Sequence, residues 1–426
     1  MSSAFPVGLE FRYGRGRMRM TKQYSQELVQ GYTMSTVMEE AQRCLLCHDA
    51  PCSNACPAGT DPAKFIRSVR FRNFKGAAET IRSNNALGAA CARICPTERY
   101  CEQGCSRCGI DKPINIGGIQ RFVTDFEEQT GMKVLEKGQD NGKKIAVVGS
   151  GPAGLQAAAT LLQLGYGVDI YEKGAKAGGF LRSGIPEYRL PDAVLDTEVA
   201  RIVELGAAIK YNTQVGKDIS LDDLKNQYDA VLVAVGIGKP QMLEMFEGNP
   251  YAVPAVTFLA EVDEKQGNVE LPDNALVIGG GDAAMDVSAT LKLLGVQNVT
   301  TVTRKELSDF RASKAELETA RATGTTIVDG YAPVAVDGKV VTFRHRKLNS
   351  ELKIEADKII LAVGQSTEAG DLGLKVVKNE VDCEDYQADG KVFVAGDIAK
   401  GDKTAVWAVR KGKAAAYAIH NYLGGK

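Results

Sequence analysis

Nine of the ten cysteines in this 426-residue chain fall between Cys44 and Cys108, and only Cys383 lies outside that stretch. They form two proline-flanked runs: Cys44, Cys47, Cys52 and Cys56 before Pro57, then Cys91 and Cys95 before Pro96, followed by Cys101 and Cys105. Thiolates this crowded expect metal, and two cubane iron–sulfur clusters with four ligands apiece would use eight of them. The first run reads C-x2-C-x4-C-x3-C-P. In double-cluster ferredoxins the cysteine before the proline ligates the other cluster. Here the run is two residues longer than that spacing, so the loop differs while the crossing can survive, and the second run completes both sites. Close pairs such as Cys44 and Cys47 also suit structural zinc, so the neighbouring motifs must decide. Cys108 and Cys383 read as ordinary small residues, and His48, His345 and His420 lie in no ligand constellation.

Two glycine loops supply that decision. The apolar run Ile145 to Val148 enters Gly149-Ser150-Gly151-Pro152-Ala153-Gly154 and then the helical Leu155 to Leu164. This is G-x-G-x-x-G in a strand–turn–helix setting, where the first glycine turns, the second admits a pyrophosphate and the third lets helix and strand pack closely. Glu172, 18 residues beyond Gly154, ends the next strand where a carboxylate can accept from an adenosine ribose. The second loop, Gly279-Gly280-Gly281-Asp282-Ala283-Ala284, follows Ala275 to Ile278, and the strand after it ends in Thr303-Arg304-Lys305 with Arg311 beyond. Basic groups in place of a carboxylate favour a 2′-phosphate, which leans the expectation to NADPH over NADH. Near the C-terminus, Val392 to Ala395 ends at Gly396-Asp397 ahead of a helical segment after Thr404. In flavoproteins with two dinucleotide domains, such a strand returns an acidic residue to the flavin. Beside these sites clusters are the better reading than zinc, because they give a flavin a one-electron exit.

The elements that must position these groups follow from periodicity. The first ~135 residues are polar and poor in β-branched runs, and Phe65, Ile66, Val69, Phe74, Ala77, Ala78 and Ile81 give a helical period that Asp61 and Pro62 would start. Residues 127–144 are charged and glycine-punctuated, which marks a boundary. Beyond it, short strands (Val168 to Tyr171, Ala230 to Val235, Val299 to Val302, Ile359 to Val363) alternate with helices, as parallel sheets require. The expected fold is α/β, with two Rossmann-like dinucleotide-binding domains for FAD and NAD(P)H behind an α-helical double [4Fe-4S] ferredoxin-like domain. The expected divisions are 1–138 for the iron–sulfur domain, 139–238 and 365–426 for the FAD domain, and 239–364 for the NAD(P)H domain. Lys plus Arg (52) nearly cancel Asp plus Glu (53), which argues against nucleic acid or an anionic membrane as partner. With no secretory segment and no apolar run near ~20 residues, the chain is expected in the cytoplasm. The basic Arg12, Arg15, Arg17 and Arg19 read as a solvated arm.

Taken together these residues resemble the flavin-containing small subunit of bacterial dihydropyrimidine dehydrogenase, which is also similar to the N-terminal half of the mammalian enzyme. The resemblance covers nearly the whole chain. It rests on Arg43-Cys-Leu-Leu-Cys-His-Asp-Ala-Pro-Cys52, Cys95-Pro-Thr-Glu98, Pro113-Ile-Asn-Ile-Gly-Gly-Ile-Gln120, Gly184-Ile-Pro-Glu-Tyr-Arg-Leu-Pro191 and Gly279-Gly-Gly-Asp282. It implies one [4Fe-4S] cluster on Cys44, Cys47, Cys52 and Cys105, and a second on Cys56, Cys95, Cys101 and the side-chain oxygen of Gln120, leaving Cys91 free. It implies FAD contacts from Arg189 and the segment from Gly396 through Asp397 to Thr404, and NAD(P)H contacts from Gly280 to Ala283, Arg304, Lys305 and Arg311. Gly179 and Gly364 complete the expected cofactor-contacting set. The implied partner is an FMN-containing TIM-barrel subunit that reduces pyrimidines. No such barrel fits before Lys426, so this chain is expected not to bind pyrimidine itself. The small subunit of glutamate synthase shares the plan but usually lacks the Asp-Ala-Pro before the third cysteine. A zinc-stabilised nucleotide sensor is the non-enzyme alternative.

Overall fold

The computed structural model describes residues 24–425, so the arginines Arg12, Arg15, Arg17 and Arg19 lie outside the described residues. The N-terminal part is built from short, individually capped helices. Asp61 accepts from the Lys64 N–H at 3.0 Å at the head of the helix Pro62–Arg70, whose first residue is the proline. The single period expected from Phe65 to Ile81 is broken in two. Arg72 takes φ +60°, and Asn73 starts a new helix, Phe74–Arg82, by accepting from the Gly76 N–H at 2.9 Å. Both helices turn the expected residues inward, and Phe65, Ile66, Val69, Ala77, Ala78 and Ile81 form one buried core with Ile119 and Val123 of the helix Ile116–Gln129.

Two sheets carry the rest. The first has six strands in the spatial order Gln387–Asp389, Val392–Val394, Ala230–Val233, Lys144–Val148, Gly167–Tyr171, Ala208–Lys210. All its pairs are parallel except the first. Its central strands are buried along nearly their whole length, the pattern of a sheet covered on both faces. The second sheet has five parallel strands, ordered Ala252–Pro254, Lys358–Leu361, Asn274–Ile278, Asn298–Val302, Thr326–Val328. An antiparallel meander, Tyr331–Asp337, Val340–His345 and Glu351–Glu355, stands where a crossover helix would be expected. Its alternating half-burial gives too weak an apolar signal to be read from sequence. The chain passes between the sheets twice, and the two passages pair with each other as a short antiparallel ribbon, Gln365 to Pro240 and Ser366 to Lys239.

The C-terminal helix Ala405–Tyr422 lies across the helix Pro152–Gln163 so closely that a Cβ on Gly412 would come within 2.2 Å of the Ala153 carbonyl oxygen. Among the described residues no helix is long and apolar enough to cross a membrane.

Candidate functional site

The first glycine loop shows which of its glycines serve the fold and which serve a ligand. Gly149 turns the chain at φ +99°, and a Cβ there would lie 2.7 Å from the Ala234 carbonyl oxygen. On Gly154 it would lie 2.0 Å from the Gly149 carbonyl oxygen. A Cβ on Gly151 would meet nothing within 4 Å. The space it faces is open and sits at the N-terminus of the helix Pro152–Gln163, where backbone N–H groups and the helix dipole favour a phosphate. Glu172 closes the loop from the neighbouring strand. It accepts from the Ser150 N–H at 3.0 Å and the Gly174 N–H at 2.7 Å, and it binds the Ser150 hydroxyl. Gly179 packs on Gly151, its Cβ position 2.8 Å from the Gly151 Cα, and Gly396 packs on Ala153 at 3.1 Å. The structure therefore draws Gly149 to Gly154, Glu172, Gly179 and Gly396 into one place, with Thr404 immediately before the helix that crosses them.

Asp397 gives that place its chemistry. Its Oδ1 is buried with no hydrogen-bond partner among the described residues. Such a group costs ~1–3 kcal/mol unless something satisfies it, so it fits a ligand hydroxyl or amide. Burial pushes its carboxyl above the usual range, against the pull of Lys411 and Lys403. Lys411 is itself buried and donates to the carbonyls of Ala399 and Asp402 at 3.0 Å each, which locks the turn that aims Asp397. The Trp407 indole N–H in the same helix is also buried and unpartnered among the described residues.

The second loop repeats the logic. Cβ atoms on Gly279 and Gly280 would come within 2.5 Å of the Ala362 carbonyl oxygen and the Thr303 hydroxyl, whereas one on Gly281 would meet nothing within 4 Å. Ala284 fills the third-glycine position and is fully buried. Asp282 accepts from the Ser313 N–H at 2.6 Å, with Ala283 beside it in the first helical turn. At the end of the adjoining strand Arg304 and Arg311 are exposed and Lys305 is half-buried, and none forms an ion pair among the described residues. Gly364, at φ +122°, lies where the chain leaves this sheet, its carbonyl accepting from the Gln241 N–H at 3.2 Å.

Arg189 stands apart from the other expected flavin contacts. Its guanidinium lies between the two dinucleotide units, with Nη1 2.8 and 2.7 Å from the Asp286 oxygens and Nη2 2.5 Å from Glu316. Both carboxylates belong to helices of the second unit. Burial raises Asp286 to about 6 and Glu316 to about 7, although Arg189 pulls each of them down. Neither acid carried a motif in the sequence.

The cysteines sort into two groups. Cys44, Cys47, Cys52 and Cys105 line one small apolar cavity together with Ala63, Ile66 and Ile116. Cys56 and Cys95 instead pack, with Tyr100 and the buried Cys91, against the core of the first dinucleotide unit. Burial, then repulsion from sulfur neighbours, raises Cys95 well above the ordinary thiol value. Burial likewise pushes Cys52 up to about 11 and Cys91 up to about 12. Cys101 is raised by burial first, then by Glu102 and Cys56. Thiolates so placed need a cationic partner. Gln120 donates its amide N–H to the Gly88 carbonyl at 2.7 Å, which leaves the amide oxygen turned the other way. Among the described residues no three Cys, His, Asp or Glu side chains converge on a single metal ion. Four thiols gathered around one cavity are the donor set that a [4Fe-4S] cluster takes.

One short loop ties these parts together. Tyr100, between Cys95 and Cys101, donates to Asp402 at 2.6 Å and lies 3.5 Å from the Thr404 hydroxyl. Arg410 donates to the Pro57 carbonyl at 3.3 Å and Lys413 to the Ala58 carbonyl at 2.6 Å, both just after Cys56. These residues escaped the sequence reading because nothing in their spacing announces a partner ~300 residues away.

Residues 20–132 match a family model described as dihydropyrimidine dehydrogenase domain II, 4Fe-4S cluster, and residues 143–412 match pyridine nucleotide-disulphide oxidoreductase. Among solved structures, Mycobacterium tuberculosis FprA in complex with NADPH shares the fold at TM-score 0.58 and 19% identity, covering 66% of this chain and 85% of that one. Thioredoxin reductase from T. acidophilum does so at TM-score 0.51 and 18% identity, covering 66% and 99%. The class is thus a pyridine-nucleotide oxidoreductase of the two-dinucleotide-domain fold carrying a 4Fe-4S domain in front. Over 404 residues, 94% of this chain and 98% of the relative, the chain is 55% identical to the NAD-dependent dihydropyrimidine dehydrogenase subunit PreT of Escherichia coli. It is 30% identical over 430 residues to the NADP(+)-dependent formate dehydrogenase subunit beta of Moorella thermoacetica, covering 88% of this chain and 60% of that one. The chain belongs to the family of the dihydropyrimidine dehydrogenase subunit PreT.

Proposed function

We propose that this chain is the NAD(P)H-oxidising subunit of a dihydropyrimidine dehydrogenase, working with an FMN-containing TIM-barrel partner that interconverts uracil or thymine with 5,6-dihydropyrimidines. When bound, FAD and two [4Fe-4S] clusters supply hydride acceptance and one-electron conduction, which no side chain offers. The protein's own share is placement. Gly149 to Gly154, Glu172, Gly179, Gly396 and Asp397 hold the flavin dinucleotide. Gly279 to Ala283 and the basic trio hold the nicotinamide dinucleotide. Cys44, Cys47, Cys52 and Cys105 grip one cluster, and Cys56, Cys95, Cys101 and the Gln120 oxygen the other.

The observation that carries this reading is the placement of the cysteines. One group abuts the flavin unit through Tyr100, Arg410 and Lys413, while the other lines a cavity of the helical domain beside the exposed Leu45. That order leads charge from a dinucleotide site toward the surface. The ribbon formed by residues 239–240 and 365–366 supports dividing the chain at 238/239 and 364/365, and the charged, glycine-punctuated stretch 127–144 supports a division at 138/139. Cluster thiolates need a reducing compartment, which supports the cytoplasm.

Nucleotide choice rests on two signals. The name of the relatives says NAD-dependent, and the unpaired Arg304, Lys305 and Arg311 suit a 2′-phosphate. We infer that the chain accepts both, with the trio extending its use to NADPH. The decisive experiment is purification with the partner from the native host. NAD(P)H-dependent uracil reduction and about eight iron and eight sulfide per chain support the reading. Glutamine-dependent glutamate formation with a large amidotransferase would overturn it in favour of the glutamate synthase module, and two zinc ions per chain would overturn the cluster assignment.

A further inference from the structure

The segment Arg311 to Lys314 crosses directly over the second glycine loop. The N–H groups of Arg311 and Ala312 both lie 3.3 Å from the Gly280 carbonyl oxygen, and Ser313 donates to Asp282 at 2.6 Å. Arg311 and Lys314 are exposed while Ser313 is buried, and the stretch follows a single 3-10 turn, Leu307–Asp309, so little regular structure holds its outer side. Its outer side is held by a different domain. Arg99 donates through Nη2 to the Arg311 carbonyl at 2.6 Å, across 212 residues of sequence. The Lys314 N–H donates to Glu98 at 3.3 Å, across 216 residues. Glu98 thereby places a carboxylate at the head of the helix Lys314–Ala322, where the dipole favours negative charge.

Glu98 and Arg99 belong to the 3-10 helix Thr97–Arg99, between Cys95 and Cys101. That loop is short and anchored: it starts at Pro96, and the Glu102 carboxylate just past Cys101 accepts from the Gly117 N–H at 3.3 Å. The adjacent Tyr100 reaches Asp402. Five residues strung between two cysteines thus touch both nucleotide-facing segments. An anchor on a segment outside helix and strand lowers the ordering cost of binding, because the segment is held in one shape beforehand.

We propose that Arg99 and Glu98 are positioning residues of the nucleotide site: the iron–sulfur domain completes that site by pinning Arg311–Lys314 over Gly280, which leaves the unpaired Arg311 guanidinium to the dinucleotide. This rests on the reading that the second glycine loop binds NAD(P)H. Nothing in the match to either domain model assigns a nucleotide role to the iron–sulfur half.

The test measures NAD+ and NADP+ binding to the oxidised, fully loaded protein by calorimetry, alongside flavin and iron content and the kinetics of flavin reduction. Arg99→Ala is expected to weaken both nucleotides about fivefold, the scale of one ordinary hydrogen bond lost from a contact that acts indirectly. KM should rise in step while the limiting rate of flavin reduction stays within about twofold, as loss of uniform binding requires. Arg99→Lys should recover part of the affinity, and Glu98→Gln should weaken binding by less than Arg99→Ala. Unchanged affinity in Arg99→Ala overturns the proposal. So does loss of flavin or iron in that variant, because Arg99 would then be a structural residue. Gly281→Val separates the two layers, since its side chain would enter the open space beside the loop. Binding unaffected by Gly281→Val sinks the nucleotide-site reading itself, whereas binding lost there but kept in Arg99→Ala sinks only the role of Arg99.

Discussion

At the scale of single residues, the chain distinguishes groups that satisfy the fold from groups left for a ligand. Asp397 is the clearest of the second kind, since its buried Oδ1 has no partner among the described residues. Asp397→Asn keeps the shape and removes the charge, so the protein should fold but lose FAD about tenfold more readily, read from the fluorescence of released flavin. Arg304→Ala with Arg311→Ala should raise the KM for NADPH far more than that for NADH. Equal effects would remove the 2′-phosphate argument. Gly149, Gly151 and Glu172 were legible in the sequence because a phosphate loop is a local device: strand, turn, helix and acid occur in order within ~25 residues. Arg189 was not. Its partners Asp286 and Glu316 lie 97 and 127 residues downstream by numbering, and a pairing of that range leaves no periodic trace.

At the scale of elements, the helix Ala405–Tyr422 decides how well the first glycine loop can be formed. Gly412→Ala would push a methyl against the Ala153 carbonyl, which belongs to the first turn of the phosphate-facing helix. The backbone cannot yield as a flexible side chain would, so the variant should lose ~1–3 kcal/mol and bind flavin poorly. Denaturant midpoints and flavin content check this together. The strands and the Rossmann helices were legible from apolar runs bounded by glycine. The break between Pro62–Arg70 and Phe74–Arg82 was not, because its sequence mark is only the five-residue step from Val69 to Phe74, while the positive φ of Arg72 and the Asn73 cap divide the helices in the fold. The antiparallel meander was missed for a related reason: its strands face solvent on one side and bury too little to stand out.

At the scale of the molecule, three bodies are joined by buried charge. Arg82 is fully buried between Glu127 of the helical domain and Glu198 of the flavin unit, at 2.8 and 2.7 Å. Glu198 also accepts from the N–H groups of Ala89 and Ala90 at 2.6 and 3.1 Å. Removing one partner strands a buried charge, so Glu198→Ala should cost ~3–5 kcal/mol, visible as a lowered Tm and loosened contact between the helical domain and the flavin unit. The Arg189 junction adds a pH dependence. Asp286 and Glu316 have folded values of about 6 and about 7, above the ~4 of an unfolded carboxylate. Folding therefore takes up protons, and the stability contributed by this pair is complete below ~4 and lost as pH rises through about 7. Thermal melts from pH 5 to 8 should show the decline in the wild type, and Glu316→Gln, which imitates the protonated acid, should flatten it. An identical slope in both would contradict the assignment.

The sequence by itself determined the inventory: eight cluster-spaced cysteines, two glycine loops with their strands and helices, and the family motifs. Each is a short-range pattern whose chemistry depends on residues close in the chain. Whereas the family resemblance implied the division of the cysteines, only the tertiary structure put Cys44, Cys47, Cys52 and Cys105 around one cavity and Cys56 and Cys95 against the flavin unit. It alone showed that the Glu98–Tyr100 loop grips both dinucleotide units and that Arg189 spans them. Those contacts join residues about 100 to 300 positions apart, a range at which loop-closure entropy and packing, not local propensity, choose the partner.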